Sequence, residues 1–561
     1  MSLISTAPMA AVQAITDTSV EANNEWLRRV TMPGPSSSHE VVRRLEARYE
    51  SMIATGGYQP FLYPWATLGA GIVILYLLLD HRQSRLLQHL RLPVWLFNLF
   101  FSVYTVFYLR ARNPASALGV GIISGWSILW TGTMLVFNDC QVDYMRVTRS
   151  VKGASTNGSA TITTGLGITT TLDNTEGKTE GLRSRVTMQS ESPAPQSAMT
   201  GKDMYSWQHY PTDSFIKRLD WVLDCFTTFR GVAWNWRISG LAPMPSHVTS
   251  NLGSSSKANR PASVRSFDDR PSLIRHNLYL VLRNLLLLDI LKTFIAHDPY
   301  FWGLTSSPAP GYFPEPLRHP YAIRSIRLVI AMCTMKFALQ LIFALGPLFF
   351  AGLARNIFTV RAESWDHPDQ FGSLSMVAKK GLAGWWGGFW HQTFRKGFEA
   401  PAEVVVTYFE IEKKSTLGRV VQLFVAFGLS GLLHACGSMT QIGQTRPLRG
   451  PGLFFLLQAV GISLEMGLKM GLKRIGLAQH IPVWVGGVGN FLYAHWWLYL
   501  TAPLLVDDFA KGGVWLFEPV PISLFRGPLG QGTREDSFWR WSGTIMSWHS
   551  GDTWWTTGIA L

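Results

Sequence analysis

The stretch VVQLFVAFGLSGLLHAC, residues 420–436, holds no Asp, Glu, Lys or Arg. A run of this length is about what one helix needs to cross the hydrocarbon of a bilayer. Near its end stands a single titratable ring, His434. Comparable apolar stretches lie near 61–79, 92–109, 116–137, 277–296, 324–351, 452–468 and 482–506. The pattern predicts an all-α, polytopic integral membrane protein with about eight transmembrane helices. The stretch at 277–296 is the most polar of them. It carries Arg283, Asp289 and Lys292, which suits an interfacial helix or one facing a polar interior. Gly346-Pro347 marks an expected break in the long fifth stretch.

Composition agrees with this reading. Charged residues make up 15% of the chain, where a soluble domain carries about a quarter, and 47% are hydrophobic, with 23 Trp. The formal charge of +14 is read as Lys and Arg anchoring cytosolic loops, because nucleic-acid binding needs clustered basic patches on a soluble fold. Four widely separated cysteines form no CxxC pair, so disulfides do not organise the chain. Residues 1–56 lack an apolar signal-peptide core, and the first membrane segment is expected to serve as an uncleaved signal anchor.

With eight helices counted, four basic regions fall on one side. They are Arg82, Arg85 and Arg91; the long loop after the third helix; Arg355 through Lys396; and Lys469, Lys473 and Arg474. The positive-inside rule makes that side cytosolic. The expected organisation is a polar, disordered tail (1–56), first membrane helices (57–140), a polar Ser/Thr-rich loop (141–214), a core (215–530) and a C-terminal tail (531–561). The loop's centre, 150–202, reads as disordered, and the Asn157 sequon in it would go unused on a cytosolic face. Within 215–238, Leu219, Trp221, Val222, Leu223, Phe226 and Phe229 form the stripe of an amphipathic helix on or in the membrane surface.

Chemistry is sought among polar groups inside apolar helices. Loss of water around His434 disfavours its charged form and leaves a neutral ring able to accept a proton; the same histidine could equally be bonded to a neighbouring helix. Gln458, Glu465, Asn490 and His495 are read as helix-to-helix hydrogen-bonding groups. Cys436, two residues from His434, points to nearly the opposite face, which argues against a Cys–His acyl-enzyme pair. The closest two histidines, His81 and His89, are eight apart, so no clustered di-iron motif exists and no metal ligands are assigned. There is no P-loop and no GxGxxG after a strand.

A second stretch, WWGGFWHQTFR (385–395), crowds Trp385, Trp386, Phe389 and Trp390 around two glycines before His391, Gln392 and Arg395. As a helix it would put Trp386 and Trp390 on one face, and His391 on another with Gly387, Gly388 and Arg395. The glycines then leave room for a ligand or a backbone to approach; an interfacial aromatic belt is the other reading.

These residues resemble a family. WWGGFWHQTFR is similar to the Trp-His-Gln signature of the wax synthase-like branch of the membrane-bound O-acyltransferases, and LSGLLHACG to that branch's membrane-helix signature. RLDWVLDCFTTFRGVAWNWRI and GVWLFEPVPISLFRGPLG resemble segments of fungal members, so the resemblance spans roughly 215–530. His434 matches the membrane histidine proposed as general base in this family. His391 matches a position that is usually Asn in other membrane-bound O-acyltransferases and His in the wax synthase branch.

The resemblance implies transfer of an acyl group from acyl-CoA, as co-substrate, to an alcohol. His434 would take the hydroxyl proton, and His391 would orient the donor or bond the developing oxyanion. Trp386 and Trp390 would line the donor tunnel. Gln392, Arg395 and Lys396 complete the expected donor-binding set, with Arg395 and Lys396 near the coenzyme A phosphates. Acetyl-CoA and a membrane-soluble terpenoid or meroterpenoid alcohol of fungal secondary metabolism are the expected substrates, and the endoplasmic reticulum the expected membrane. A wax synthase joining long-chain acyl-CoA to a fatty alcohol is the alternative within the class. A non-catalytic lipid or metabolite transporter, with His434 and Glu465 as structural or proton-relay groups, is the alternative outside it.

Overall fold

In the computed structural model, which describes residues 34–150, 204–253, 262–541 and 546–561 together with a short strand pair at 162–163 and 169–170, five helical stretches are long and apolar enough to cross a membrane. They are Arg85–Tyr108, Pro114–Leu135, Pro320–Leu353, Thr416–Met439 and Leu448–Arg474. The principal helices are α1 (Ser38–Ala54), α2 (Leu68–Leu77), α3 (Arg91–Tyr108), α4 (Pro114–Leu135), α5 (Phe215–Thr227) and α6 (Arg270–His297). After them come α7 (Pro320–Pro347), α8 (Arg395–Tyr408), α9 (Thr416–Met439), α10 (Leu453–Arg474), α11 (Val483–Thr501) and α12 (Pro503–Gly512). Each of the eight apolar stretches holds a helix, but those at 61–79, 277–296 and 482–506 hold none long and apolar enough to cross a membrane, so five of the eight expected spans are found among the described residues of this multi-pass membrane protein. With 24 residues, α9 is about 36 Å long, enough for the hydrocarbon core.

Small residues let α4 and α9 meet backbone to backbone. A Cβ on Gly121 would stand 2.1 Å from the Cys436 carbonyl oxygen, and one on Gly437 would stand 2.7 Å from Ile122. Without a hydrophobic driving force between helices in lipid, such close contact is a main source of association. Here it fixes the height and rotation of the helix that carries His434.

The polar helix α6 faces a polar interior. Asp289 is buried and accepts from Ser523 Oγ and from the backbone N–H of Leu524 at 2.7 Å, while buried Lys292 donates to the Trp515 carbonyl. The segment after α12 is therefore sewn to the bundle by the charges that made the fourth stretch look unlike a membrane span. At Pro347 the ring removes a backbone donor, and the chain continues as a π-helical turn, Leu348–Leu353, at the expected break.

Three expected segment boundaries change. Residues 38–54 of the expected N-terminal tail form α1, capped by Ser37 and docked through His39–Asp536 at 3.1 Å and Arg43–Glu535 at 2.5 Å. These ion-pair partners lie almost five hundred residues away, so no local pattern announces them. Residues 1–33 lie outside the described residues. In the expected C-terminal tail, Gly558–Ala560 pairs antiparallel with both Leu62–Tyr63 and Ser547–His549, making a small sheet next to Trp65. In the expected polar loop, Arg146–Ser150 pairs antiparallel with Met204–Gln208, and most of 151–203 lies outside the described residues. The helix expected from the 215–238 stripe is α5. Trp221, Val222 and Cys225 are fully buried against protein and the Phe226 carbonyl accepts from Trp130 of α4, while Phe215, Ile216 and Leu223 stay exposed.

Contacts gather the connections into two ends. At one end, Gln141 bonds the Leu77 carbonyl, Arg218 the Leu78 carbonyl, and Arg230 the carbonyls of Pro368 and Asp369. The 385–392 segment packs next to this stretch through Phe371, which contacts Trp390 and His391. Residues 34–64 and 515–541 lie at the other.

Candidate active site

His434 sits on the sixth turn of α9. Its Nδ1 is 2.8 Å from the Ser430 carbonyl, four residues back. That carbonyl accepts, so Nδ1 holds the hydrogen and Nε2 is the ring's acceptor. One face of the imidazole stacks on Phe455 of α10, with ring centroids 4.1 Å apart. Cys436 turns the other way: its side chain packs against Gly125 of α4. The two residues therefore occupy different faces of α9, as the helical spacing requires.

His391 is held differently. The helix expected through 385–395 does not run the whole way. Leu382–Gly384 opens it, Trp385–Phe389 continues as a π-helical turn, and Trp390 is extended at φ −75 and ψ 151. π-turns widen a helix locally and are frequent at functional sites. The face assignments of a regular helix therefore fail for His391, although Trp386 and Trp390 still lie 6.3 Å apart. The His391 ring is boxed by Phe343, Phe371, Trp390 and Phe394 at 5.7–5.9 Å, and its buried Nδ1 has no hydrogen-bond partner. Burial, with His434 and Arg230 as further positive neighbours, pushes its imidazole down to about 3. A continuous set of aromatic contacts links this ring to that of His434.

Aromatic contacts join them in a line. Trp390 touches His391 at 5.7 Å, Trp386 touches Trp390, and Trp386 touches Phe455 at 5.6 Å, which stacks on His434. The Trp386 indole N–H donates to Gln458 Oε1 at 3.3 Å, and Gln458 donates to Thr501 of α11.

The remaining expected donor-binding residues are placed as follows. Gln392 turns inward, its amide donating to the carbonyls of Trp386 and Trp390 at 2.6 and 2.8 Å, and its Oε1 accepting from Arg395 at 3.1 Å. Arg395 also pairs with Glu399 one turn along α8 at 2.6 Å, and Lys396 is half-buried beside it. Of the two glycines, Gly388 is packed on a side chain, since a Cβ there would stand 2.8 Å from Met376 Cε; it is Gly372 that admits a backbone, because a Cβ on it would meet the Gly388 carbonyl oxygen at 2.0 Å, and Gly372 N–H donates to Phe389 O. Gly387 is exposed with open space about it.

Beside the His391 box lies a cavity of about 560 Å³. Phe343, Phe371 and Thr393 line the part nearest His391, and the buried Thr393 hydroxyl has no partner. Elsewhere the wall is ionic. Arg146 and Arg361 are each paired with both Asp220 and Asp224 at 2.5–3.4 Å. Burial raises the Asp366 carboxyl well above its ordinary range and lowers the His367 imidazole to about 4. Sequence reasoning did not select Arg146, Arg361, Asp366 or Thr393. The segment RLDWVLDCFTTFRGVAWNWRI, 218–238, singled out by its resemblance, brings Asp220, Asp224 and Arg230 to this wall.

Residues 367–457 match the membrane bound O-acyl transferase family, a window that contains His391, Trp386 and His434. The acetyltransferase aurG of Calcarisporium arbuscula is 22% identical over 55% of this chain and 71% of its own. The O-mevalon transferase yanI of Aspergillus niger is 25% identical over 50% of this chain and 60% of its own, and the acetyltransferase pyr8 of Aspergillus fumigatus is 33% identical over 27% and 35%. No solved structure matches. The chain is similar to the membrane bound O-acyl transferase family over residues 367–457, and this likeness together with the named relatives supports a membrane-bound acyltransferase.

Proposed function

We propose that the protein transfers an acetyl group from acetyl-CoA to a hydroxyl of a terpenoid or meroterpenoid alcohol, in the endoplasmic reticulum membrane of a fungal secondary-metabolite pathway. The observation that carries the reading is the His434 tautomer: with Nδ1 bound to Ser430 O, Nε2 is an acceptor inside an apolar helix. The hydroxyl oxygen attacks the thioester carbonyl as Nε2 takes its proton. The C–O bond forms, the C–S bond breaks, and the imidazolium returns the proton to the departing thiolate. Assistance of this kind is worth about 10²–10⁴-fold. His391 donates a hydrogen bond to the developing oxyanion or orients the donor. No covalent acyl-enzyme is required, and the placement of Cys436 against α4 agrees with that.

The donor's pantetheine arm would occupy the cavity beside His391, against Phe343, Phe371 and Thr393. Its phosphates would lie at the basic end of the bundle, where Arg395 and Lys396 stand, and that end would be cytosolic. Gln392 supports the site by holding the Trp386 and Trp390 carbonyls. Several relatives are named acetyltransferases, which supports an acetyl donor.

The test is coenzyme A release by membranes holding the protein, with acetyl-CoA and palmitoyl-CoA each offered against terpenoid alcohols and a long-chain alcohol, and products identified by mass. Acetyl transfer to a terpenoid is the expected result. Palmitoyl transfer to the fatty alcohol would assign wax synthesis instead, and flux of a lipid without any ester would assign transport.

A further inference from the structure

The His391 segment has almost no regular secondary structure of its own, so something else must hold it. Three side chains from α10 and α11 reach it. Asn490 donates to the Ala378 carbonyl at 2.9 Å, at the end of the short helix Ser375–Lys380. Gln458 receives the Trp386 indole. The third is Glu465, 5% exposed in the middle of α10.

Glu465 Oε2 accepts from the backbone N–H of Leu382 at 3.0 Å and of Ala383 at 3.4 Å. These are the first donors of the helical turn that runs into Trp385–Phe389, groups that no intrahelical carbonyl can satisfy. A carboxylate there also complements the positive end of the turn. Lys469, one turn along α10, donates to Oε1 at 2.7 Å and balances the charge. The fit is close on the other side too: Gly381 has φ +67, and a Cβ there would stand 1.6 Å from Oε1.

We propose that Glu465 is a positioning residue for acyl transfer: by capping the Leu382–Gly384 turn it sets the start of the segment that carries Trp386 and His391. Gln392 fixes the far end of that segment through the Trp386 and Trp390 carbonyls. Glu465 touches neither histidine, so it acts on geometry rather than on the reacting atoms. The consequence for turnover rests on the acyltransfer reading above; the consequence for the segment does not.

Two readouts test it on the full chain in membranes or detergent. Hydrogen exchange of peptides covering 381–392 should rise in Glu465→Ala while peptides of α4 and α9 keep wild-type protection. In Glu465→Gln, which keeps an oxygen acceptor, exchange should stay near wild type, and in Glu465→Asp, whose carboxylate is retracted, it should be intermediate. Turnover should follow the same order, with kcat down about 10–100-fold in Glu465→Ala and KM for both substrates within about twofold, as misplacement by around 1 Å commonly produces. Unchanged exchange at 381–392 in Glu465→Ala, or exchange raised equally throughout the bundle, would overturn the proposal. So would equal loss in the Gln and Ala variants. Inactivity of every variant and of the wild type, with the exchange pattern intact, would count against the acetyl-transfer reading alone.

Discussion

His434 and His391 are linked by one line of aromatic contacts, yet they are held by opposite means. His434 is fixed locally: its own helix supplies the Ser430 carbonyl, and the register of α9 against α4 supplies the rest. His391 is fixed from a distance, on a segment whose backbone is secured by Gln392, Glu465 and Asn490 and whose ring is boxed by four aromatic side chains. The first arrangement suits a proton acceptor, which needs a defined tautomer. The second suits a group that must sit at a set distance from donor and acceptor, and it makes His391 sensitive to changes far from it.

The contrast can be broken by mutation. The largest effect is expected for His434→Ala, a loss of about 10²–10⁴ in turnover with the protein's membrane level unchanged. His391→Ala should cost about 10²-fold through the lost oxyanion donor, and His391→Asn, which keeps an N–H donor, should recover part of it. If His391→Ala proved the more damaging, the roles would be reversed. Gln392→Ala frees two backbone carbonyls, and about a tenfold fall in kcat with KM for the donor unchanged is expected. A rise in donor KM instead would return Gln392 to direct donor binding. Cys436→Ala should change turnover by less than about twofold, and a complete loss there would revive a Cys–His acyl-enzyme.

Acidity offers a further check. In the folded protein His391 stays neutral down to about 3 and His367 to about 4, whereas both protonate near 6.5 when unfolded. Between those values the unfolded state binds more protons, so stability is greatest above about 6.5 and falls as pH drops towards 4. The apparent melting temperature should decline from pH 7 to pH 5, and His391→Asn should flatten part of that slope.

Much of the bundle is legible in the sequence because membrane spans are local: 420–436 and its counterparts need only their own side chains to declare themselves. His434 and the opposite placement of Cys436 follow from the same helical arithmetic. The 385–392 segment was visible as a cluster, but its path was not, since a π-turn followed by extended backbone is chosen by partners at 458, 465 and 490 rather than by its own periodicity. Gln392 looked like a ligand group and is turned to backbone carbonyls for the same reason. The ionic wall of Arg146, Arg361, Asp220 and Asp224 draws on segments more than a hundred residues apart, and α1 depends on partners near 535; neither leaves a local trace.

The most direct measurement compares single-turnover acyl transfer by wild type and His434→Ala in the same membranes, with acetyl-CoA and a terpenoid alcohol supplied and ester and free coenzyme A both quantified. The account predicts ester and coenzyme A in equal amounts from the wild type and their joint loss in the variant. Wild-type turnover in His434→Ala would contradict it, whatever His391 proved to do.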